Sequence, residues 1–195
     1  LRDFPRIILN TLIVAGATAV VTVVISSMAS YAIARDRKMS GGMVPKALLF
    51  IYVFPTIILV VPIYQMLVSI GLWDSLVSLV IVYTALASPF CTWLLVSFFQ
   101  TVPKQLEESA EIDGAGSFTI FFRVVLPLAV PGIVTVAMYA FITAWGEYLF
   151  ALVLLVINIG FSTWDTLTGK IPTEKRPVFL KSPQEFEALP DSTSL

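Results

Sequence analysis

Between Arg6 and Arg35 no side chain carries a charge, and the same holds from Lys46 to Asp74, from Asp74 to Lys104 and from Arg123 to Glu147. A helix rising about 1.5 Å per residue crosses the ~30 Å hydrocarbon core of a bilayer in about 20 residues. Each interval is long enough, so the spacing predicts four transmembrane helices. A fifth uncharged interval, Tyr148 to Trp164, is shorter and holds Asn158, Gly160 and Ser162. It reads as a short span or a re-entrant segment. A transmembrane barrel needs alternating polarity, which the nearly solid apolar runs Val20 to Ile25 and Ile57 to Val61 lack. The expected fold is all-α, a polytopic integral membrane protein.

Composition closes off other classes. Charged residues make up 13% and the mean hydropathy is +0.91, outside the range of ordinary soluble domains. A net charge of −1 leaves no basic footprint for nucleic acid. The single cysteine, Cys91, falls inside a span and there is no histidine, so neither an intrachain disulfide nor a His/Cys metal site is expected. Cys91 reads as a buried thiol. The chain starts at Leu1, and Leu1 to Ala34 lacks the charged start and small-residue cleavage site of a signal peptide. The natural start is expected to be missing.

Lys and Arg concentrate in cytoplasmic loops, so Arg35, Arg37, Lys38 and Lys46 place the loop after the first span on the cytoplasmic side. The region from residue 104 to 123 then lies on the same side. Prolines fall in or beside three spans: Pro55 and Pro62, Pro89, and Pro127 with Pro131. Each removes a backbone donor and is expected to kink its helix. Such kinks suit a transport pathway, and they serve packing equally well. From Asn158 to Leu195 the composition turns polar, with Pro172, Pro177, Pro183 and Pro190 among charged residues, which predicts a soluble, flexible extension over 158–195.

The region between the third and fourth spans reads PKQLEESAEIDGAGSFTIFFRVVLP. Pro103 suits a first helical position and Gly114 with Gly116 a helix stop, which predicts a short helix between them. Helical spacing puts Leu106 and Ala110 on one face and crowds Glu107, Glu108 and Glu111 on another. Ser117 is placed to cap a second helical segment, SFTIFFRVV. An amphipathic helix lying on an anionic cytoplasmic leaflet favours bases on its polar face. From Lys104 to Arg123 two bases face four acids, Glu107, Glu108, Glu111 and Asp113. The expected partner is therefore a protein with basic groups rather than lipid.

Glu108-Ser109-Ala110, three residues, Gly114, nine residues, then Val124-x-Leu126-Pro127 resembles the EAA-x3-G-x9-I-x-L-P pattern of the permease subunits of bacterial ABC importers. Ser109 and Val124 are conservative departures. NTLIVAGATAV, ASYAIARDRKMSGG, FPTIILVVPIYQMLVSIGLWDS, FFQTVPKQLEESAEIDGA and FITAWGEYLFALVLL are similar to the carbohydrate branch, the smaller maltose permease subunit in particular, over residues 8–157.

The resemblance implies a multi-pass protein of the bacterial cytoplasmic (inner) membrane. It implies a second permease subunit, two ATPase subunits that bind the ATP, and an external sugar-binding protein as partners. Residues 103–117 would be the coupling region, with Glu107, Glu108, Ser109, Ala110, Asp113, Gly114, Leu126 and Pro127 meeting the ATPase. This chain has no GxxxxGK[ST] phosphate loop and needs no cofactor or enzymatic chemistry of its own. The family pattern also has a span before residue 8 and another after the WGEYLFALVLL region, so the chain is expected to be truncated at both ends.

Pro55, Pro62, Tyr64, Gln65 and Glu147 are the pathway candidates; Tyr64, Gln65 and Trp93 could stack on or hydrogen-bond to a sugar, but aromatic residues near span ends more often form the interfacial belt. An acid within a span is a functional candidate by default. Glu147, however, lies ~36 Å along the helix from Arg123, at the outer boundary, beside Trp145 and Tyr148. Two other readings stay open: a structural fragment of such a permease, and a self-sufficient secondary transporter.

Overall fold

The computed structural model describes residues 4–72, 75–147 and 149–153. Those residues are helical with no strand among them. In chain order the helices are α1 Phe4–Arg35, α2 Arg37–Ser40, α3 Met43–Val53, α4 Thr56–Ser69, α5 Leu76–Thr101, α6 Lys104–Ile112 and α7 Ser117–Ile120. A π-helical turn, Phe121–Val125, then leads into α8 Leu126–Leu128, α9 Val130–Gly146 and α10 Leu149–Ala151. The expected tail at 158–195 and most of the fifth interval lie outside the described residues.

Two helices, Pro5–Arg35 and Leu76–Thr101, are long and apolar enough to cross a membrane unbroken. Counting each of two bent pairs as one span brings the number to four. The second predicted span is thus two helices, α3 and α4, separated at Phe54 and Pro55. Phe54 is extended (φ −64°, ψ 132°), as a residue before proline prefers to be. The fourth bends by 80° at Ala129. There Pro131 cannot donate to the carbonyl four residues back, and the α-helical ladder fails. Pro62 and Pro89 lie inside helices that continue past them. Proline stops a helix here only where a second feature, an extended preceding residue or another nearby proline, acts with it.

The described residues form two compact units. One comprises residues up to Phe54 with Tyr83–Gly146, and the other Pro55–Val82 with the residues from Glu147 onward. In the first, α1 packs along α9. The buried residues of α9 are Gly132, Val136, Ala140 and Ala144, four apart. On α1, Ala15, Thr18, Ala19, Thr22, Ser26 and Ser30 are buried. Small residues let two backbones approach closely, the usual basis of helix association in lipid, where apolar burial supplies little drive. Gly132 is a case in point: a Cβ there would fall 2.4 Å from Cγ of Phe98 on α5. Around this contact sits a core that includes Ala87, Cys91, Leu95, Phe99, Phe121, Val125 and Val136. The second unit buries Val60, Tyr64, Leu67, Leu79, Val82 and Phe150.

Candidate functional site

The helix α6 begins at Lys104, with Pro103 extended just before it (φ −61°, ψ 128°), one residue later than expected. Its end is built as the glycines suggest. Gly114 takes φ +84°, its N–H donates to the carbonyl of Glu111 at 2.9 Å, and the N–H of Ala115 donates to that of Ala110 at 2.9 Å. This pair of bonds satisfies the last free carbonyls, and the left-handed residue it requires is cheapest as glycine. Gly116, not Ser117, occupies the cap position of α7, and no side chain caps it.

Of the nine residues of α6 only Glu107 is buried. Its carboxylate accepts a hydrogen bond from the Tyr31 hydroxyl at 2.8 Å and pairs with the Arg35 guanidinium, both at the C-terminal end of α1. Arg35 in turn donates to the Phe99 carbonyl near the end of α5 at 2.9 Å, and its guanidinium carbon lies 5.5 Å from the centroid of the Tyr31 ring. Tyr31 packs on Phe99 and Phe121, with ring centroids 5.9 and 5.0 Å away. One charged group therefore ties the ends of α1, α5 and α6 together. A charge so placed must be paired and hydrogen-bonded, because desolvation otherwise costs several kcal/mol. The expected single face of Glu107, Glu108 and Glu111 is corrected here. Glu107 turns inward to an arginine 72 residues earlier in the chain, so it has no outward face to offer a partner.

The outward face is mixed. Glu108, Glu111 and Asp113 are exposed, and so are Leu106, Ile112 at 87% and Phe118 at 74%. Leu106 does not share a buried face with Ala110, which is half-buried. Ser109 is exposed and its hydroxyl donates back to the Gln105 carbonyl at 2.8 Å. Leu126 is half-buried and Pro127 exposed, where the chain re-enters helix. An apolar cavity of about 140 Å³ opens beside this region, lined by Met28, Tyr31, Ser117, Phe118 and Phe121.

The pathway candidates belong to the second unit. Tyr64 is buried, whereas Gln65, Pro55 and Pro62 are exposed. The carboxylate of Glu147 accepts from the backbone N–H of Leu149 at 2.9 Å, a cap on α10. Trp93 belongs to the first unit, in a group of rings with Tyr52, Phe90 and Tyr139. Sequence reading passed over Tyr31, Tyr52 and Tyr139, and used Arg35 only as a marker of sidedness.

Residues 43–180 match the family described as binding-protein-dependent transport system inner membrane component. The chain is 42% identical to the putative ABC transporter permease protein ORF1 of Streptomyces antibioticus over 75% of its length. It is 38% identical to the trehalose transport system permease protein SugB of Mycobacterium tuberculosis over 76%, and 37% identical to the sulfoquinovosyl glycerol transport system permease protein SmoH of Agrobacterium fabrum over 73%. It spans 64%, 54% and 50% of those three proteins. The chain belongs to the family of binding-protein-dependent transport system inner membrane components.

Proposed function

We propose that the chain is the greater part of a permease subunit of an ATP-driven sugar importer and that α6 with α7 carries the force between an ATPase and the spans. The observation that carries this reading is the division of α6 into two faces. Its inner side is fixed to the ends of α1 and α5 through Glu107, while Glu108, Glu111, Asp113, Leu106 and Ile112 are left for another protein. A helix joined rigidly to two long spans transmits displacement rather than absorbing it, and movement of packed helices as bodies is a recurrent way to switch access. Relatives bearing trehalose and sulfoquinovosyl glycerol names support a carbohydrate or glycoside substrate. ATP binding belongs in this reading to two ATPase subunits, substrate delivery to an external binding protein, and the rest of the pathway to a second permease subunit.

The test uses the full-length subunit assembled with its partners in proteoliposomes and measures ATP-dependent uptake of maltose and trehalose. Glu108→Lys and Gly114→Pro are expected to abolish uptake while leaving membrane insertion intact. Normal uptake by both variants would sink the coupling assignment.

A further inference from the structure

Tyr52 on α3, Phe90 and Trp93 on α5 and Tyr139 on α9 converge from three separate helices of the first unit. The Phe90 ring lies 4.8 Å from that of Tyr52, 4.6 Å from that of Tyr139 and 5.8 Å from that of Trp93, centroid to centroid. The Tyr139 hydroxyl donates to the Tyr52 hydroxyl at 3.2 Å, a contact open to the surroundings, and Tyr52 is 42% exposed. Tyr139 is ~14 Å from the start of α9 and Phe90 ~21 Å from the start of α5, near the middle of each helix. The pair is therefore at mid-bilayer depth rather than in the headgroup layer where tyrosines commonly sit.

Two phenolic hydroxyls facing hydrocarbon at that depth would lose hydration without replacement. Tyr139 also shares a hydrogen bond with Thr143, whereas Tyr52 accepts the Tyr139 proton and keeps its own, so the pair retains donor capacity for a polar molecule. Aromatic faces beside a small number of placed hydroxyls are also what a binding surface needs to take a ligand with an apolar side and a polar edge. A sugar ring has both, with C–H groups for the rings and hydroxyls for the phenols.

We propose that Tyr52, Phe90, Trp93 and Tyr139 form a saccharide contact on the wall of the translocation pathway. This rests on the sugar-import reading and adds the residues that touch the substrate. Of the residues that the sequence offered for contact with a sugar, it includes Trp93 and leaves aside Tyr64, which is buried, and Gln65, neither of which belongs to this aromatic group.

The experiment again takes the full-length subunit in its assembled complex. Removing only the two hydroxyls, in the Tyr52→Phe, Tyr139→Phe double variant, is expected to raise the transport KM for maltose or trehalose about tenfold, the worth of one or two hydrogen bonds. In a parallel sample Tyr52→Cys is expected to react with a charged, membrane-impermeant thiol reagent, and the sugar to slow that reaction. Cys91, fully buried, adds no background from this chain. An unmoved KM with no protection by sugar, or a cysteine that the reagent cannot reach, overturns the saccharide contact while unsubstituted uptake remains normal. An unsubstituted complex that takes up neither sugar overturns the sugar-import reading itself, and this contact with it.

Discussion

Glu107 and Arg35 hold α6 to the ends of α1 and α5. Their side chains are 12% and 16% exposed, so water screens them in part, and the cost of breaking the pair should fall below that of a fully buried ion pair. Arg35→Ala is expected to destabilise the full-length protein by about 1–3 kcal/mol, more than Glu107→Gln, because it leaves the carboxylate charge with only the Tyr31 hydroxyl, whereas Glu107→Gln leaves the guanidinium the Phe99 carbonyl and the Tyr31 ring. Denaturation in mixed micelles checks this, and equal losses would contradict it. Arg35→Lys should not restore the full effect, since a single ammonium cannot replace the planar fork that reaches both Glu107 and the Phe99 carbonyl. The burial of Glu107 was not legible in the sequence: pattern reading compares residues three and four apart, whereas this partner is 72 residues away. Gly114 was legible, because its positive φ follows from a local rule about helix ends. Open space surrounds the position of its missing Cβ, so Gly114→Ala should cost only the backbone strain of about 1–2 kcal/mol, measured in the same assay.

At the level of elements, the charge-free intervals located the apolar helices because the cost of a charge in hydrocarbon acts over a whole span and needs no tertiary information. Where those helices break was harder to see. Pro62 and Pro89 are carried inside continuous helices, while Phe54 and Ala129 mark the true interruptions. A proline removes one hydrogen bond, and the surrounding packing, which the sequence does not display, decides whether the helix bends. The contact of α9 with α5 through Gly132 and Phe98 gives a direct check on packing. Gly132→Ala is expected to destabilise by about 1–3 kcal/mol through overpacking, and Phe98→Leu to recover part of that loss. Independent, additive effects of the two substitutions in a double-mutant cycle would show that the two sites do not share the space described.

For the whole molecule, family membership and the span pattern agree on a helical inner-membrane component, and the composition excluded soluble and nucleic-acid-binding alternatives at the outset. The proposed saccharide contact was least legible, since Tyr52 and Tyr139 lie 87 residues apart and look like ordinary membrane aromatics until brought together. The central claim is that the outer face of α6 meets an ATPase while its inner face belongs to this chain. Photo-crosslinking in the assembled full-length complex tests it most directly, with the reactive group placed at Ile112 and, separately, at Glu107. The account predicts an ATPase adduct from Ile112 and only adducts within the permease subunit from Glu107. An ATPase adduct from Glu107, or lipid adducts alone from Ile112, would contradict it.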